Sequence, residues 1–429
     1  MIQGHQNADR VIAVGCTVAA RAGAMYLEST DPDAIAEWLD VNVDNRRTRV
    51  AIVVDDAFAV ANPEAVEAIK VAGADNAHRA RIRQNTTRLK PREQAKHFIR
   101  NLTSAGKVLH VTGSGACAIV GAGPSLDDAL DDLREVGCPV IAVNTALPAL
   151  RAAGIEPFLS LCVEAIDVSG AFAGSTVASL IDLTAHPANW RAAHRPYAIC
   201  MDEPNLVPYA LAAGVHPLSH GGSATTCAIS LALRAGFSEI FLVGQDHAYP
   251  TERMYAEHSA FGDLRLDAVD GKVVTTGTSK KVAPQNAYPV QAWGGGEVLS
   301  TDVFAIYIDW ITRVAKRTRI VNTSHLGACI PGTHEEPASV LRRVVGESLA
   351  MERPCESDSA RRMLSAELLE AEVHALRGDP TAATIACPLL NMWAVPHMLE
   401  RVTRARYDDT RADTCAMLRD AVAVCRGLL

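Results

Sequence analysis

No C-x-x-C pair occurs among the eleven cysteines, their number is odd and their spacing is scattered. Zinc sites and disulfide frameworks need closely spaced or paired thiols, so neither is expected. Most cysteines sit in apolar stretches, as Cys162 does in FLSLCV and Cys227 in ATTCAISLAL, where a thiol behaves as a small buried hydrophobe. Reduced core cysteines imply a cytoplasmic location. No uninterrupted apolar run approaches the ~18–20 residues of a membrane span. The N-terminal MIQGHQNADR lacks the basic flank and apolar stretch of a signal peptide. An excess of positive charge is missing too. The 41 basic and 49 acidic residues leave a net charge of −8, which disfavours a nucleic-acid partner. What is present is an ordinary globular composition, 48% hydrophobic and 21% charged, over 429 residues. That excludes disorder as the dominant state and suggests roughly two to three domains.

Three regions follow from the pattern. Residues 1–110 form an N-terminal α/β region: RVIAVGCTVAA and RVAIVVDDAF read as buried strands, and 63–73 as a helix opened by Pro63. Its end, from Asn76 to Arg100, is a basic connector that reads as a solvated helix or a lip for an anion. Residues 111–335 alternate short apolar runs (ACAIVG, PVIAV, FLSLCV, YAICM, EIFLV, RIVN) with helical stretches at 125–136, 146–153, 223–235 and 302–316. Such alternation predicts a Rossmann-like, mostly parallel sheet with helices on both faces, an α/β fold. Residues 336–429, from PASVLRRVVGESLAM onward, carry apolar residues at helical spacing and read as a C-terminal helical region.

Ligands of such sheets bind at the carboxyl ends of the strands. There, Gly121-Ala122-Gly123-Pro124-Ser125 follows the first central run and opens a helix, with Ser125 expected as N-cap. Its glycines and free helix-start amides suit a phosphate. The third glycine of a dinucleotide fingerprint is missing, because Leu126 stands in its place, so a plain NAD site is disfavoured. Asn144 follows PVIAV, and Glu164 follows FLSLCV. Gly221-Gly222-Ser223 opens a second glycine-rich helix start. After EIFLV comes Gly244-Gln245-Asp246-His247-Ala248-Tyr249, then Tyr255, a dense cluster of polar side chains at one strand exit.

GAGPSLD (121–127), NTALPALRAAGIEP (144–157), GGSATTCAISLAL (221–233), VGQDHAY (243–249) and VNTSHLGACIPG (321–332) resemble, in this order, the MptE-like domain. That domain is shared by archaeal 6-hydroxymethylpterin diphosphokinases and by bacterial motility-associated factor proteins, which glycosylate flagellin. The resemblance spans about half the chain. The bacterial branch is also similar to sialyltransferases that use CMP-linked sugars. By that similarity Gly121, Gly123, Pro124, Ser125 and Asn144 hold the nucleotide, and Tyr249 and Tyr255, six positions apart, face the leaving phosphate. A phenolic O–H can donate to a departing phosphate oxygen without adding charge. The histidine those transferases place before a late Thr-Asp has no match here. Thr301-Asp302 is present, and the corresponding place lies near Glu297.

The resemblance implies a transferase that binds a nucleotide-activated sugar, a CMP-linked nonulosonic acid, and glycosylates a protein or surface acceptor such as flagellin. Gly222, Ser223 and Glu164 join the binding set, and Asp246 the catalytic one. The base is sought among Glu297, His247 and His258. No cofactor and no metal are required on this reading. The alternative is diphosphate transfer from ATP to a pterin alcohol, with Mg²⁺ held by Asp246 and Glu164. A non-catalytic nucleotide-binding module is the third reading.

Overall fold

A computed structural model describes residues 10–14, 50–54, 56–71, 73, 91–269, 272–278, 285–377, 379–393 and 407–429. The chain divides into two compact units, Met1–Lys90 and Pro91–Leu429. In the first, strands β1 (Arg10–Val14) and β2 (Val50–Val54) pair in parallel. Helical segments at Asp56–Ala61 and 63–71 follow, and Pro63 begins the second, where its missing N–H leaves no bond unmade. The basic stretch 76–90 lies outside the described residues. Residues 91–100 belong to the second unit, in helix α1 (Pro91–Ser104).

The second unit is built on a ten-stranded sheet. Its order is β15 (His334–Glu335), β14 (Arg319–Asn322), β9 (Glu239–Val243), β3 (Lys107–Val120), β4 (Val140–Val143), β5 (Leu159–Cys162), β6 (Ala178–Asp182), β7 (Arg195–Met201) and β8 (Pro217–Leu218). These nine are parallel. Alternate side chains of β3 enter opposite cores, as a pleated strand requires. Ala116, Ala118 and Val120 join α1, α2 (Ser125–Arg134) and two C-terminal helices, α6 (Ser357–Leu376) and α7 (Tyr407–Leu428). Cys117 and Ile119 face α4 (Ala224–Ala235) and Ile311 of α5 (Asp302–Ala315). The short helix α3 (Leu147–Ala152) links β4 to β5.

The tenth strand, β16 (Gly346–Pro354), was expected to be helical. It pairs antiparallel with the first half of β3, Gly346 opposite Gly115 and Pro354 opposite Lys107. Helical turns stop at Arg343, the end of a 3₁₀ segment, and beyond Gly346 the chain extends along a half-strand that otherwise has no ladder partner. This moves the expected boundaries. A break at 110/111 would cut β3, and the chain instead divides at 90/91. The C-terminal helices belong to the same compact unit as the sheet.

Two topological features position the site. From β3 the chain proceeds to β4 on one side, whereas β9, on the other side of β3, leads towards β14. The order reverses there, which opens a crevice at the carboxyl ends of β3 and β9. Between β9 and α5 a second sheet is inserted, with antiparallel strands β10 (Arg265–Val269), β11 (Lys272–Thr276), β12 (Gln285–Gln291) and β13 (Glu297–Thr301). The Tyr249 amide donates to Leu299 O at 2.7 Å and ties β13 to the β9 exit.

Candidate functional site

The exits of β3 and β9 lock into each other. The amide of Gly121 donates to Val243 O at 2.8 Å, that of Gly123 to Gly244 O at 2.8 Å, and that of Ser125 to Asp246 Oδ2 at 3.1 Å. The Ser125 hydroxyl donates to Asp246 Oδ1. A carboxylate of the chain itself therefore occupies the helix start where a ligand phosphate was expected, and these three amides are not free. The glycines serve close approach of backbone to backbone. A Cβ on Gly121 would stand 2.2 Å from Gln245 Nε2, and one on Gly123 2.1 Å from Asp246 Oδ2. Ser125 is the first helical residue and not the N-cap, a place taken by Pro124. Leu326, after β14, donates its amide to Ser125 Oγ at 3.3 Å, so this hydroxyl joins three strand exits.

Asp246 is buried, and burial lifts its carboxyl to about 6 against the pull of the two Ser125 bonds. Both of its oxygens already accept hydrogen bonds from Ser125, which compete with Mg²⁺ for them. Among the described residues, no group of three or more His, Cys, Asp or Glu could hold a metal ion.

His247 is the one non-glycine among the described residues with a left-handed backbone, φ 47°. Its carbonyl accepts from Ser300 Oγ at 2.8 Å, and its ring lies 6.1 Å from both Phe304 and Tyr307 of α5. Burial pushes its pKa down to about 4, so the ring is neutral at pH 7, and Nε2 has no hydrogen-bond partner.

Asn144 Nδ2 after β4 and Gln245 Nε2 after β9 share that condition, as does Arg92 Nε of α1. Buried polar groups are nearly always paired, so three orphans at the exits of β4 and β9 mark a place built for something else to bind. Gln245 is otherwise fixed, since Thr225 Oγ1 donates to its Oε1 at 2.7 Å and its amide donates to Ser324 Oγ at 2.7 Å.

Phenols gather around these groups. The Tyr249 ring lies 5.2 Å from that of Phe304, tilted by 58°, and Phe304 lies 6.3 Å from Tyr307. The segment carrying Tyr255 is stitched to the sheet by Ala256 N–H donating to Ala122 O at 2.8 Å and Ala260 N–H to Thr145 O at 2.9 Å. The Tyr255 ring rests on Phe261 at 5.3 Å. Burial pushes the Tyr249 phenol up to about 12, with Tyr255 adding to the effect, and burial also raises Tyr255 and Tyr307. All three remain protonated donors at neutral pH. Tyr307 and Phe304 escaped the sequence reading because an amphipathic helix makes its aromatics look like core. Their signal is the i, i+3 pair one turn after Thr301-Asp302.

Ser223 is the N-cap of α4, with a reciprocal capping box to Thr226. The next two amides, those of Ala224 and Thr225, have no intrahelical acceptor. Gly222 lies beneath Tyr307, since a Cβ there would stand 3.3 Å from Tyr307 Cε1. Glu164 is half-buried at the exit of β5. Two candidates are exposed: Glu297, the first residue of β13 and two positions before the Leu299 that pairs with Tyr249, and His258. The cysteines are largely buried as expected, though Cys329 and Cys355 are partly exposed and Cys16 lies outside the described residues.

Residues 93–252 match the family model described as 6-hydroxymethylpterin diphosphokinase MptE-like. Among solved structures the chain is similar to the MAf glycosyltransferase from Magnetospirillum magneticum AMB-1. The identity is 17% and the TM-score 0.55, over 95% of this chain and 69% of that one. No curated protein matches.

Proposed function

With an MptE-like match over residues 93–252 as the premise, we propose that this protein is a glycosyltransferase that takes a CMP-linked nonulosonic acid as donor and modifies a protein or surface acceptor. The observation that carries the proposal is the convergence of uncharged donors on the crevice between β3 and β9. The ring of Tyr307 lies 6.1 Å from His247, whose Nε2 is unpartnered like Asn144 Nδ2, and the phenols of Tyr249 and Tyr255 act on that of Tyr307. Such a set stabilises a departing nucleotide phosphate through hydrogen bonds in a low-dielectric site, where each counts for more than in water.

On this reading Asn144 holds the nucleotide, and Gly222 and Ser223, with the first α4 amides, receive a phosphate or sugar. Tyr249 and Tyr255 face the scissile bond. Gly121, Gly123, Pro124, Ser125 and Asp246 build the floor of the crevice. The similarity to a glycosyltransferase structure over 95% of the chain supports the same reading. Diphosphate transfer from ATP is disfavoured by Asp246, which is committed to Ser125.

Thermal-shift titration with CMP, CMP-N-acetylneuraminate, and ATP with Mg²⁺ tests it. Stabilisation by the cytidine compounds without metal is the expected result. Stabilisation by ATP alone, dependent on Mg²⁺, would transfer the assignment to the diphosphokinase reaction. Cytidine binding without turnover of any CMP-sugar would make the protein a binding module.

A further inference from the structure

Three groups were candidates for the base that deprotonates the acceptor, and their surroundings disqualify each. Glu297 and His258 are exposed to solvent, whereas the phenols are not. His247 is buried in a ring of aromatic neighbours that keeps it neutral and opposes the charge it would gain by accepting a proton. Resting on the transferase reading above, we infer that Glu164 is the general base, standing at the β5 exit across from the phenols that receive the leaving group.

The loop after β5 is built to hold this residue. Its carbonyl, not its carboxylate, carries the local hydrogen bonds, accepting His186 N–H at 2.9 Å and Asn189 Nδ2 at 3.1 Å. Asn189, fully buried, also donates to Ile166 O at 3.0 Å and accepts from Val168 N–H at 2.9 Å, which fixes the turn from 164 to 168. The backbone is pinned, and the half-buried carboxylate takes no part in these bonds. Strand order puts it beside the phenols: β5 neighbours β4, and the Tyr255 segment is bonded to the exits of β3 and β4. After burial itself, the negative charge of Glu164 is the next cause that raises both Tyr255 and Tyr307, so it acts on two of the three phenols at once. A carboxylate on one side and protonated phenols on the other are the complementary acceptor and donors that the reaction needs.

The step balances. The acceptor oxygen forms a bond to the anomeric carbon as its proton passes to Glu164 Oε. The bond from that carbon to the phosphate oxygen breaks, its electron pair leaves with CMP, and the phenols donate to the phosphate. With water as acceptor the same step hydrolyses the donor.

CMP release from CMP-N-acetylneuraminate, measured for the wild type, Glu164→Gln and Glu164→Asp with and without sodium azide, tests the assignment. Azide is a nucleophile that needs no deprotonation. Glu164→Gln is expected to keep its melting temperature and its CMP affinity within about threefold, and to lose about a hundredfold or more of its release rate in water. Azide should restore that rate to within about tenfold and yield the glycosyl azide, with little effect on the wild type, and Glu164→Asp should keep part of the rate. Undiminished release by Glu164→Gln would overturn the assignment while leaving the transferase reading intact. So would a loss that azide does not relieve, or one matched by lost CMP affinity. A wild type that neither binds CMP nor releases it from the donor would overturn the transferase reading, and the base with it.

Discussion

Ser125 gives both its amide and its hydroxyl hydrogen to a single carboxylate, that of Asp246. The pair closes the seam between the two central strand exits. It also fills the positive end of α2 with a charge that belongs to the protein, so a ligand phosphate would have to find its donors elsewhere in the crevice.

The carboxyl of Asp246 has a pKa near 6 in the fold and an ordinary value of 3.8, so between those pH values the folded protein binds more protons than the unfolded chain. Its contribution to stability therefore improves as pH falls through that window. Asp246→Asn cannot take up a proton. Urea denaturation should show the stability of the wild type, relative to Asp246→Asn, increasing from pH 6.5 to pH 4.

His247 has the opposite sign. Its pKa is about 4 in the fold against an ordinary 6.5, so the unfolded chain binds more protons between the two. The stability gained by burying the neutral ring is complete above pH 6.5 and is lost progressively down to pH 4. Asn accepts the left-handed backbone found here and does not titrate. The difference in stability between wild type and His247→Asn should shrink or reverse over that range, as measured by the same denaturation series.

Tyr255→Phe removes one phenolic donor and keeps the ring that rests on Phe261. CMP affinity should stay within a few fold, while turnover of the CMP-sugar falls by about tenfold to a thousandfold. Steady-state kinetics at saturating donor read the effect, and unchanged turnover removes Tyr255 from the mechanism.

Asn144→Ala deletes a buried amide that has no internal partner for its Nδ2. Calorimetric titration with CMP should show binding weakened by about 1–3 kcal/mol, with the melting temperature of the free protein nearly unchanged. Full retention of affinity would reduce Asn144 to shaping the 3₁₀ turn that it begins.

Apolar runs of five or six residues made the sheet readable: PVIAV, FLSLCV, YAICM and EIFLV fall on β4, β5, β7 and β9. The first half of β3 was not readable, because KVLHVTGSG alternates exposed and buried side chains and reads as loop until β16 is laid beside it. ASLID, a strand buried along its whole length, mixes Ser and Asp with its apolar residues. The inserted antiparallel sheet carries Pro289 in a strand and few buried side chains, so neither propensity nor periodicity announces it.

The site was legible as pieces and not as contacts. GAGPSLD and GQDHAY each look like loops waiting for a ligand, and only the register of β3 with β9, Val120 opposite Val243, makes them each other's partner. Glu164 was visible as a strand-exit carboxylate. Its role depends on Asn189, twenty-five residues later, holding its carbonyl. No local pattern encodes that pairing.

The pairing of β16 with β3 has a consequence for how the chain comes off the ribosome. Thr112 meets Leu349, 237 positions downstream. The middle strand of the molecule is thus made early and keeps one flank open until nearly the last fifth of the polypeptide has been synthesised. Contacts so distant in sequence close slowly. In the interval that bare flank is an open edge, available for pairing with a neighbour and for capture by a chaperone.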